Sequence, residues 1–269
     1  MTDIDVKKVE EIIRHVSADV VMPRFNNLLE SEIHEKGPGD FVTIADEESE
    51  KMFGTLLTDL LPGSLVVGEE AVAKDESVVK KLKDDQPVWV IDPVDGTYNF
   101  SHGIRKFGIL VSLVQNGETL YGWAFDAPGN RMAVASRGAG TYLDGERVKI
   151  SCTASVEGEL KGRGSGFRAA EHFKELVAQR CSLHDYMDFI TGDADFVVHM
   201  PKVTPWDHGA TNLIAAEAGG YVAMNDSDTP YDPTLLGWAF LLVAPDRAWW
   251  EKLSPILYPA RLKAKIAGK

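Results

Sequence analysis

Two aspartates stand three residues apart in the segment WVIDPVDGTYNF (residues 89–100), directly after an apolar run. Carboxylate and carbonyl oxygens are the ligands that hard divalent cations such as Mg²⁺ prefer in proteins. Because Pro93 stiffens the backbone, Asp92 and Asp95 are predicted to face one pocket with the Val94 carbonyl between them, where they can bridge two metal ions. The alternative is a tight turn, since Pro, Asp and Gly are common in turns.

Other segments whose residues could bind a metal ion or an anion lie before and after this one. The amides of Gly96 and Thr97 form an anion site if they begin a helix. A second acidic stretch, GEE, occupies residues 68–70 after an apolar run, and a third, PWDHGA, occupies residues 205–210 at the predicted start of a helix. Acidic groups that converge at strand and helix ends repel one another strongly without a cation between them. A metal pair beside an anion site indicates hydrolysis of phosphate esters.

The elements that must position these residues are of mixed type, which predicts an α+β fold. Residues 1–149 are predicted to form an N-terminal α+β half with most of the metal ligands, and residues 150–269 a C-terminal α/β half with Asp207 and the specificity residues. Turn residues between short apolar runs predict an antiparallel meander over residues 107–150. Apolar spacing predicts helices over residues 4–21, 25–33, 52–61, 173–177, 186–190, 207–218 and 246–253, and strands over residues 64–67, 88–91, 196–198 and 238–244.

Composition excludes several classes of protein. The 269 residues carry a formal net charge of −13, and Lys and Arg do not cluster, which argues against binding of nucleic acid. No apolar run approaches the ~20 residues needed to cross a bilayer, and the N-terminus lacks a signal-peptide pattern. With two cysteines and no CxxC motif, a disulfide framework is not expected. We therefore expect a cytoplasmic globular protein.

Four motifs in order and spacing resemble the signatures of the inositol monophosphatase superfamily of Mg²⁺-dependent, lithium-sensitive phosphatases. They are DFVTIAD (40–46), GEE (68–70), DPVDGTYNF (92–100) and PWDHGA (205–210) with AEAGG (216–220). The resemblance covers residues 5–258. It implies an αβαβα layered sandwich of the inositol monophosphatase and fructose-1,6-bisphosphatase type, with the site between two halves, and a homodimer.

The resemblance also implies residue roles. The expected Mg²⁺ ligands are Glu69, Asp92, the Val94 carbonyl, Asp95 and Asp207. Asp46 is expected to pair with Thr97 and orient the attacking water, with Glu69 also counted as catalytic. Gly96, Thr97 and Asp207 are expected at the substrate. The implied reaction is hydrolysis of a small phosphomonoester by metal-activated water, without a covalent intermediate.

Substrate choice is expected to lie in the second half of the chain, and there the sequence departs from the pattern of inositol-specific members. Met200 stands where inositol-binding members commonly carry glutamate, and SLHDYMDF (182–189) replaces a GSAA-like stretch. In the first half, Tyr98 replaces a second threonine, which is a milder departure. Fructose 1,6-bisphosphate, histidinol phosphate and 3′-phosphoadenosine 5′-phosphate are therefore alternatives to inositol phosphate. Two further alternatives are a haloacid-dehalogenase phosphatase, whose aspartates stand two apart, and a non-enzymatic sensor of metal and phosphate.

Several other side chains lie near the motifs in sequence, but a structural or solvent-exposed role explains each of them more simply than a functional one. Glu70 is either a helper for a further metal or water, or a solvated neighbour of Glu69. His208 is expected at the surface of a first helical turn. His199, Lys202 and Arg168 are expected to be solvated, although each is a candidate for substrate contact. Trp206 is expected to pack beside the site.

Overall fold

The computed structural model describes residues 2–37, 39–166 and 169–268. Its α-helices are α1 (Val6–Val16), α2 (Ile44–Leu60), α3 (Glu69–Lys74), α4 (Thr97–Ser101), α5 (Ser182–Thr191), α6 (Pro205–Glu217), α7 (Arg247–Leu257) and α8 (Ala260–Ala267). Its strands are β1 (Ile33–Gly37), β2 (Asp40–Thr43), β3 (Leu65–Gly68), β4 (Val88–Asp95), β5 (Gly108–Gln115), β6 (Glu118–Asp126), β7 (Arg131–Ser136), β8 (Gly140–Leu143), β9 (Glu146–Val148), β10 (Lys161–Gly164), β11 (Glu175–Val177), β12 (Phe196–His199), β13 (Lys202–Val203), β14 (Tyr221–Met224), β15 (Gly237–Trp238) and β16 (Leu241–Ala244). No helix in these ranges is long and apolar enough to span a bilayer.

The larger sheet contains β3 to β9 in sequence order. β3 and β4 run parallel, and every other neighbouring pair is antiparallel, which confirms the predicted meander. The β5–β6 hairpin turns at Asn116 and Gly117, which both have positive φ, as its type of tight turn requires. α1 and α2 cover one face of this sheet, where Ile13 and Phe53 pack in the same core cluster as Trp89.

The opposite face of the larger sheet packs against α5 and α6. Successive side chains of a strand point to opposite faces. In β5, Ile109 and Val111 therefore join the layer of α1 and α2, whereas Leu110 packs in one cluster with Tyr186 of α5 and Ile214 of α6. The two helices form the middle layer of the protein.

A second sheet closes the other side of this middle layer. Its strand order is β11-β10-β12-β16-β14. Val197 and Val243 face α5 and α6, whereas Leu242 faces away and packs with Trp250 of α7 and Leu262 of α8. The succession of helices, sheet, helices, sheet and helices confirms the αβαβα layers that the family resemblance implied.

Two of the predicted helices are wrong. In residues 25–33, Asn26 adopts a left-handed φ of 59°, which interrupts a helix, and β1 begins at Ile33. Residues 173–177 contain β11, which pairs in parallel with β10. Arg163 of β10 forms an ion pair with Glu175 across the two strands, at 2.5 Å. Short apolar runs do not distinguish strand from helix, and here the sheet partner decides.

The end of the chain also differs from its prediction. Residues 238–244 divide between β15, which pairs with β13, and β16, which lies in the second sheet. The Asp246 carboxylate accepts a hydrogen bond from the Trp249 amide at 2.8 Å and so caps α7, as predicted. α7 continues past residue 253 to Leu257, and α8 follows it.

Candidate active site

A β-bulge at the end of β4 brings Asp92 and Asp95 to the same side of the strand. β4 pairs with β5 in register up to Asp92 and Leu110, and pairing resumes at Asp95 and Gly108. Three steps along β4 therefore match two steps along β5. Residues three apart in a regular strand point to opposite faces, and the extra residue reverses that relation. The predicted stiff segment is thus a bulge within a strand.

Asp95 is held by the beginning of α5. Its Oδ1 accepts a hydrogen bond from the Ser182 amide at 3.1 Å, and its Oδ2 accepts from the Leu183 amide at 2.5 Å. The Cys181 thiol also donates to Oδ2, at 3.1 Å. Asp95 therefore joins the end of the first sheet to the middle helical layer.

Asp207 completes the acidic group from α6. Thr204 precedes the helix, and its hydroxyl donates to the Asp207 carboxylate at 2.5 Å. Among the described residues, Asp92, Asp95 and Asp207 each present an oxygen within 4.8 Å of the others. These three residues are called the carboxylate cluster below. The structure thus brings together three of the five predicted metal ligands through their side chains.

The carboxylate cluster is electrostatically unfavourable by itself. Burial raises the pKa of Asp92 well above its usual value, and repulsion from Glu69, Asp95 and Asp207 adds to the shift. Burial and the charge of Asp207 raise the pKa of Asp95 to about 7, although the hydrogen bonds from α5 oppose the shift. Bound cations or protons must compensate these groups.

The other two predicted ligands lie at the edge of the carboxylate cluster. The Val94 carbonyl oxygen lies 3.0 Å from Thr97 Oγ1, so it is an alternative to Asp46 as the acceptor of the one hydroxyl proton. Glu69 lines the same cleft but lies outside the cluster, and its Oε1 is 2.8 Å from Lys36 Nζ. Burial raises the pKa of Glu69, while the lysine charge lowers it.

Lys36 and Glu50 were missed in the sequence, and both organise the GEE segment. Lys36 Nζ is also 2.9 Å from Glu70 Oε1, so Glu70 is a buried ion-pair partner and not the solvated neighbour of the simpler interpretation. The Glu50 carboxylate accepts from the amides of Glu70 and Ala71 at 2.7 and 2.9 Å. Both contacts join distant parts of the chain, so local patterns contain no signal for them.

Asp46 and Thr97 meet as predicted. The Thr97 hydroxyl is 3.1 Å from Asp46 Oδ1, while the amide and hydroxyl of Thr43 donate to Asp46 Oδ2 at 2.8 and 2.6 Å. Burial raises the pKa of Asp46 to about 7, against the effect of the Thr43 hydrogen bonds. The carboxylate is therefore fixed in position and able to exchange a proton near neutral pH.

Gly96 connects the carboxylate cluster to α4. Its φ of 87° is in the left-handed region. A Cβ at this position would lie 2.9 Å from the Lys106 carbonyl oxygen and 3.1 Å from Cys181 Cβ, so glycine is required by both conformation and space. α4 begins at Thr97, and the first amides of a helix have no acceptor within it.

One open cleft of about 510 Å³ is lined by the carboxylate cluster together with Glu69, Val94, Gly96 and Thr97. Its other lining residues include Gly39, Phe41, Tyr98, Arg180, Lys202, Thr204 and Trp206. The cleft contains the predicted metal ligands, the Thr97 hydroxyl and two cationic side chains. Arg180 was not singled out in the sequence. Arg168 lies outside the described residues.

The two histidines behind the cleft differ from their predictions. His199 is 6% exposed and His208 is 2% exposed, so neither is solvated. α6 is buried along most of its length, which explains why a residue in its first turn is not at the surface. Burial lowers the pKa of His208 to about 3 and the pKa of His199 well below 6.5. Both imidazoles are therefore neutral at physiological pH. Met200, at 4% exposure, packs in the core of the second sheet.

Comparisons with known proteins identify the fold and the family. A profile of the inositol monophosphatase family matches residues 5–258. A fructose-1,6-bisphosphatase/inositol-1-monophosphatase of Thermotoga maritima is 31% identical over 191 residues, covering 68% of this chain and 71% of the relative. Inositol monophosphatase 1 of Sus scrofa is 27% identical over 210 residues, with 72% and 74% covered. The solved structure of a Thermotoga maritima IMPase has a TM-score of 0.77 at 25% identity, with 93% and 96% covered.

These similarities define a phosphatase, a hydrolase of phosphoric monoesters. The chain belongs to the inositol monophosphatase family.

Proposed function

We propose that this protein is a Mg²⁺-dependent phosphomonoesterase that hydrolyses a small phosphorylated metabolite. The observation that carries the proposal is the carboxylate cluster, which opens into the same cleft as the Thr97 hydroxyl. A cluster of carboxylates is stabilised in its ionised form by bound cations, and a hydroxyl beside it is suited to accept a hydrogen bond from a water molecule.

The donor set fits a hard divalent cation. Glu69, the Val94 carbonyl and the three aspartates of the carboxylate cluster all offer oxygen atoms, and Mg²⁺ is usually bound by a few carboxylates together with water and phosphate. When bound, such ions activate water and stabilise the charge that develops on the phosphate and leaving group.

The remaining groups act on the phosphate and the water. The amides of Gly96 and Thr97 are proposed to hold the phosphate oxygens. With Asp46 ionised, the Thr97 hydroxyl donates to Asp46 Oδ1, and its lone pairs are free to accept a hydrogen bond from water. As water attacks phosphorus, its proton passes to Thr97 Oγ1 while the Thr97 proton passes to Asp46. The departing alkoxide takes up a proton from solvent water and Asp46 releases its proton to solvent, which gives an alcohol and inorganic phosphate.

A panel of phosphomonoesters tests the proposal. Inositol 1-phosphate, fructose 1,6-bisphosphate, histidinol phosphate and 3′-phosphoadenosine 5′-phosphate are compared at equal concentration, with inorganic phosphate as the readout. We expect phosphate release with Mg²⁺, none with EDTA, and inhibition by Li⁺. Full activity in metal-free buffer would contradict the metal site. Binding of these esters without turnover of any of them would favour the sensor alternative.

A further inference from the structure

One departure from the inositol pattern contacts an arginine of the second half of the chain. Tyr98 replaces a threonine in the first half, and Arg180 lies two residues before the altered segment SLHDYMDF (182–189) of α5. The Arg180 guanidinium carbon lies 4.0 Å from the centroid of the Tyr98 ring. Tyr98 is further stacked on His102, with ring centroids 4.1 Å apart and an interplanar angle of 16°. Arg180, Tyr98 and His102 therefore form one stack.

The backbone on both sides of Arg180 is fixed. The Asn99 side-chain amide donates to the carbonyls of Lys106 and Gln179 at 2.7 and 2.9 Å. On the other side, the Cys181 thiol donates to Asp95. Arg180 itself has a φ of 58°, and it is the one described residue with left-handed φ that is not Gly, Asn or Asp. An arginine is held here in a conformation that its residue type rarely adopts.

This geometry directs a permanent cation into the cleft. Arg180 and Tyr98 both line the cleft beside the carboxylate cluster, and Tyr98 directly follows Thr97. Within residues 2–37, 39–166 and 169–268, no carboxylate forms an ion pair with Arg180, although several line the same cleft. Stacking on an aromatic ring leaves the five N–H donors of a guanidinium at its edge, where they match the oxygens of a phosphate or carboxylate.

Resting on the proposed function, we infer that Arg180 determines specificity by binding a second anionic group of the substrate. The scissile phosphate occupies the site at Gly96 and Thr97, and Arg180, placed by Tyr98 and Asn99, binds a further phosphate or carboxylate on the same small molecule. The preferred substrate is thus a phosphomonoester whose leaving group is itself an anion. A neutral polyol phosphate leaves the guanidinium without a partner.

Substrate pairs that differ at one group test this inference. 3-Phosphoglycerate and glycerol 3-phosphate differ in a carboxylate, and fructose 1,6-bisphosphate and fructose 1-phosphate differ in a second phosphate. For the wild type, kcat/KM is expected to be at least tenfold higher for the anionic member of one or both pairs. The pair that shows the larger ratio identifies whether carboxylate or phosphate is the natural group.

Variants at residue 180 test whether the Arg180 side chain causes the preference for the anionic substrate. Arg180→Gly suits the left-handed backbone and should fold, and it is expected to lower the ratio at least tenfold. Arg180→Lys keeps the charge but loses the planar donor pair, so an intermediate ratio is expected. Arg247→Gln, at an exposed arginine of α7 outside the cleft, is the control and should leave the ratio unchanged. Equal ratios for Arg180→Gly and wild type would overturn the inference.

Two further outcomes separate this inference from its alternatives. If Arg180→Gly lowers kcat/KM equally for both members of a pair, the guanidinium binds the scissile phosphate and the inference is wrong. Calorimetric binding of the same pairs, with Ca²⁺ in place of Mg²⁺, does not require turnover. Selective binding of the anionic members without phosphate release would contradict the proposed function but support the role of Arg180. Equal binding of both members by the wild type would contradict that role.

Discussion

The carboxylate cluster borders an open cleft, whereas a second group of ionisable side chains behind it is fully buried, and burial acts differently on the charge of the two groups. Asp92 and Asp95 are 2% and 5% exposed, and like charges surround them at the edge of an open cleft. Asp185, His199 and His208, with Tyr186, form a second group between α5, α6 and β12, called the histidine cluster here. His199 Nε2 lies 3.6 Å from Asp185 Oδ2, and its ring centroid lies 4.6 Å from that of His208.

Burial has opposite consequences in the two groups. In the histidine cluster, burial raises the pKa of Asp185 and lowers the pKa of both histidines, so both imidazoles are neutral. In the carboxylate cluster, burial and then repulsion between the carboxylates raise the pKa values, and a bound cation would relieve that repulsion. The two imidazoles therefore carry no charge that needs a partner, whereas the carboxylate cluster needs bound cations when its carboxylates are ionised.

The largest expected effect is the loss of kcat when one carboxylate of the carboxylate cluster becomes an amide. Asp92→Asn keeps an oxygen that can accept from the Val94 amide, as Asp92 Oδ1 does at 3.1 Å. It removes one charge from the carboxylate cluster. Loss of a principal ligand is expected to raise the barrier by several kcal/mol and so lower kcat by roughly 10³-fold, while stability in EDTA stays equal or rises. Rates of phosphate release and melting temperatures measure both effects.

The matched control is Asp59→Asn at an exposed aspartate of α2. It should change neither rate nor melting temperature. If folded Asp92→Asn kept more than about a tenth of the wild-type rate, a loss under 1.4 kcal/mol, Asp92 would not be a principal ligand.

The second effect tests the hydroxyl beside the cluster. Thr97→Ala removes the contact with Asp46 but keeps the backbone amide. A general-base contribution amounts to about 10²-fold to 10⁴-fold, and we expect kcat to fall by roughly 10²-fold with little change in KM. Thr97→Ser restores the hydroxyl and should restore most of the rate. In the structure the hydroxyl bonds to Val94 and Asp46 and not to a helix amide, so a capping role does not explain it.

A lowered melting temperature with unchanged kcat in Thr97→Ala would argue against the proton relay. Failure of Thr97→Ser to recover activity would do the same, because it would attribute the effect to the methyl group.

The residues predicted from sequence share a local signal. Asp92, Asp95 and Gly96 stand at the end of an apolar run, where residue types alone indicate a strand that ends in a polar segment. The role of Asp46 came from the family resemblance, because its contact with Thr97 spans 51 residues. The fold class could be predicted for the same reasons: the meander has clear turn residues, and the motifs cover most of the chain.

The remainder depends on tertiary contacts. Lys36 reaches Glu69 across 33 residues, and Arg180 reaches Tyr98 across the two halves of the chain. His208 was expected at the surface because a first helical turn usually is exposed, but both sheets bury α6. No pattern among residues that are close in the sequence predicts these contacts.

The third effect links metal binding to pH. In the folded, metal-free protein, Asp46 and Asp95 each have a pKa of about 7. In the unfolded chain the same carboxyl groups lose their protons at about pH 4. Their raised folded pKa therefore makes metal-free stability decrease as pH rises from about 4 to 7. Mg²⁺ needs ionised ligands, so the rise in melting temperature on adding Mg²⁺ is expected to grow from pH 5.5 to 7 and then level off.

Each proton displaced by the metal is worth up to about 1.4 kcal/mol per pH unit, or roughly 2 to 4 °C. Melting with excess Mg²⁺ and with EDTA at each pH measures the difference, in which the titration of the histidine cluster largely cancels. Asp95→Asn should flatten the dependence. A Mg²⁺ effect of the same size at pH 5.5 and pH 8 would show that the carboxylate cluster is not protonated without metal.

The smallest effect tests the histidine cluster in the metal-bound protein. His199 and His208 have lowered folded pKa values, so their contribution to stability is present above the unfolded pKa of 6.5 and is lost as pH falls below it. In His208→Gln, the loss of unfolding free energy between pH 7 and pH 5 should be smaller than in the wild type by roughly 1 to 2 kcal/mol, since one imidazole no longer takes up a proton on unfolding. Urea unfolding in excess Mg²⁺ measures it, and His172→Gln, at an exposed histidine, is the control. Identical pH dependence in wild type and His208→Gln would mean that His208 is protonated in the folded protein as readily as in the unfolded chain, which would contradict the effect of burial on the histidine cluster.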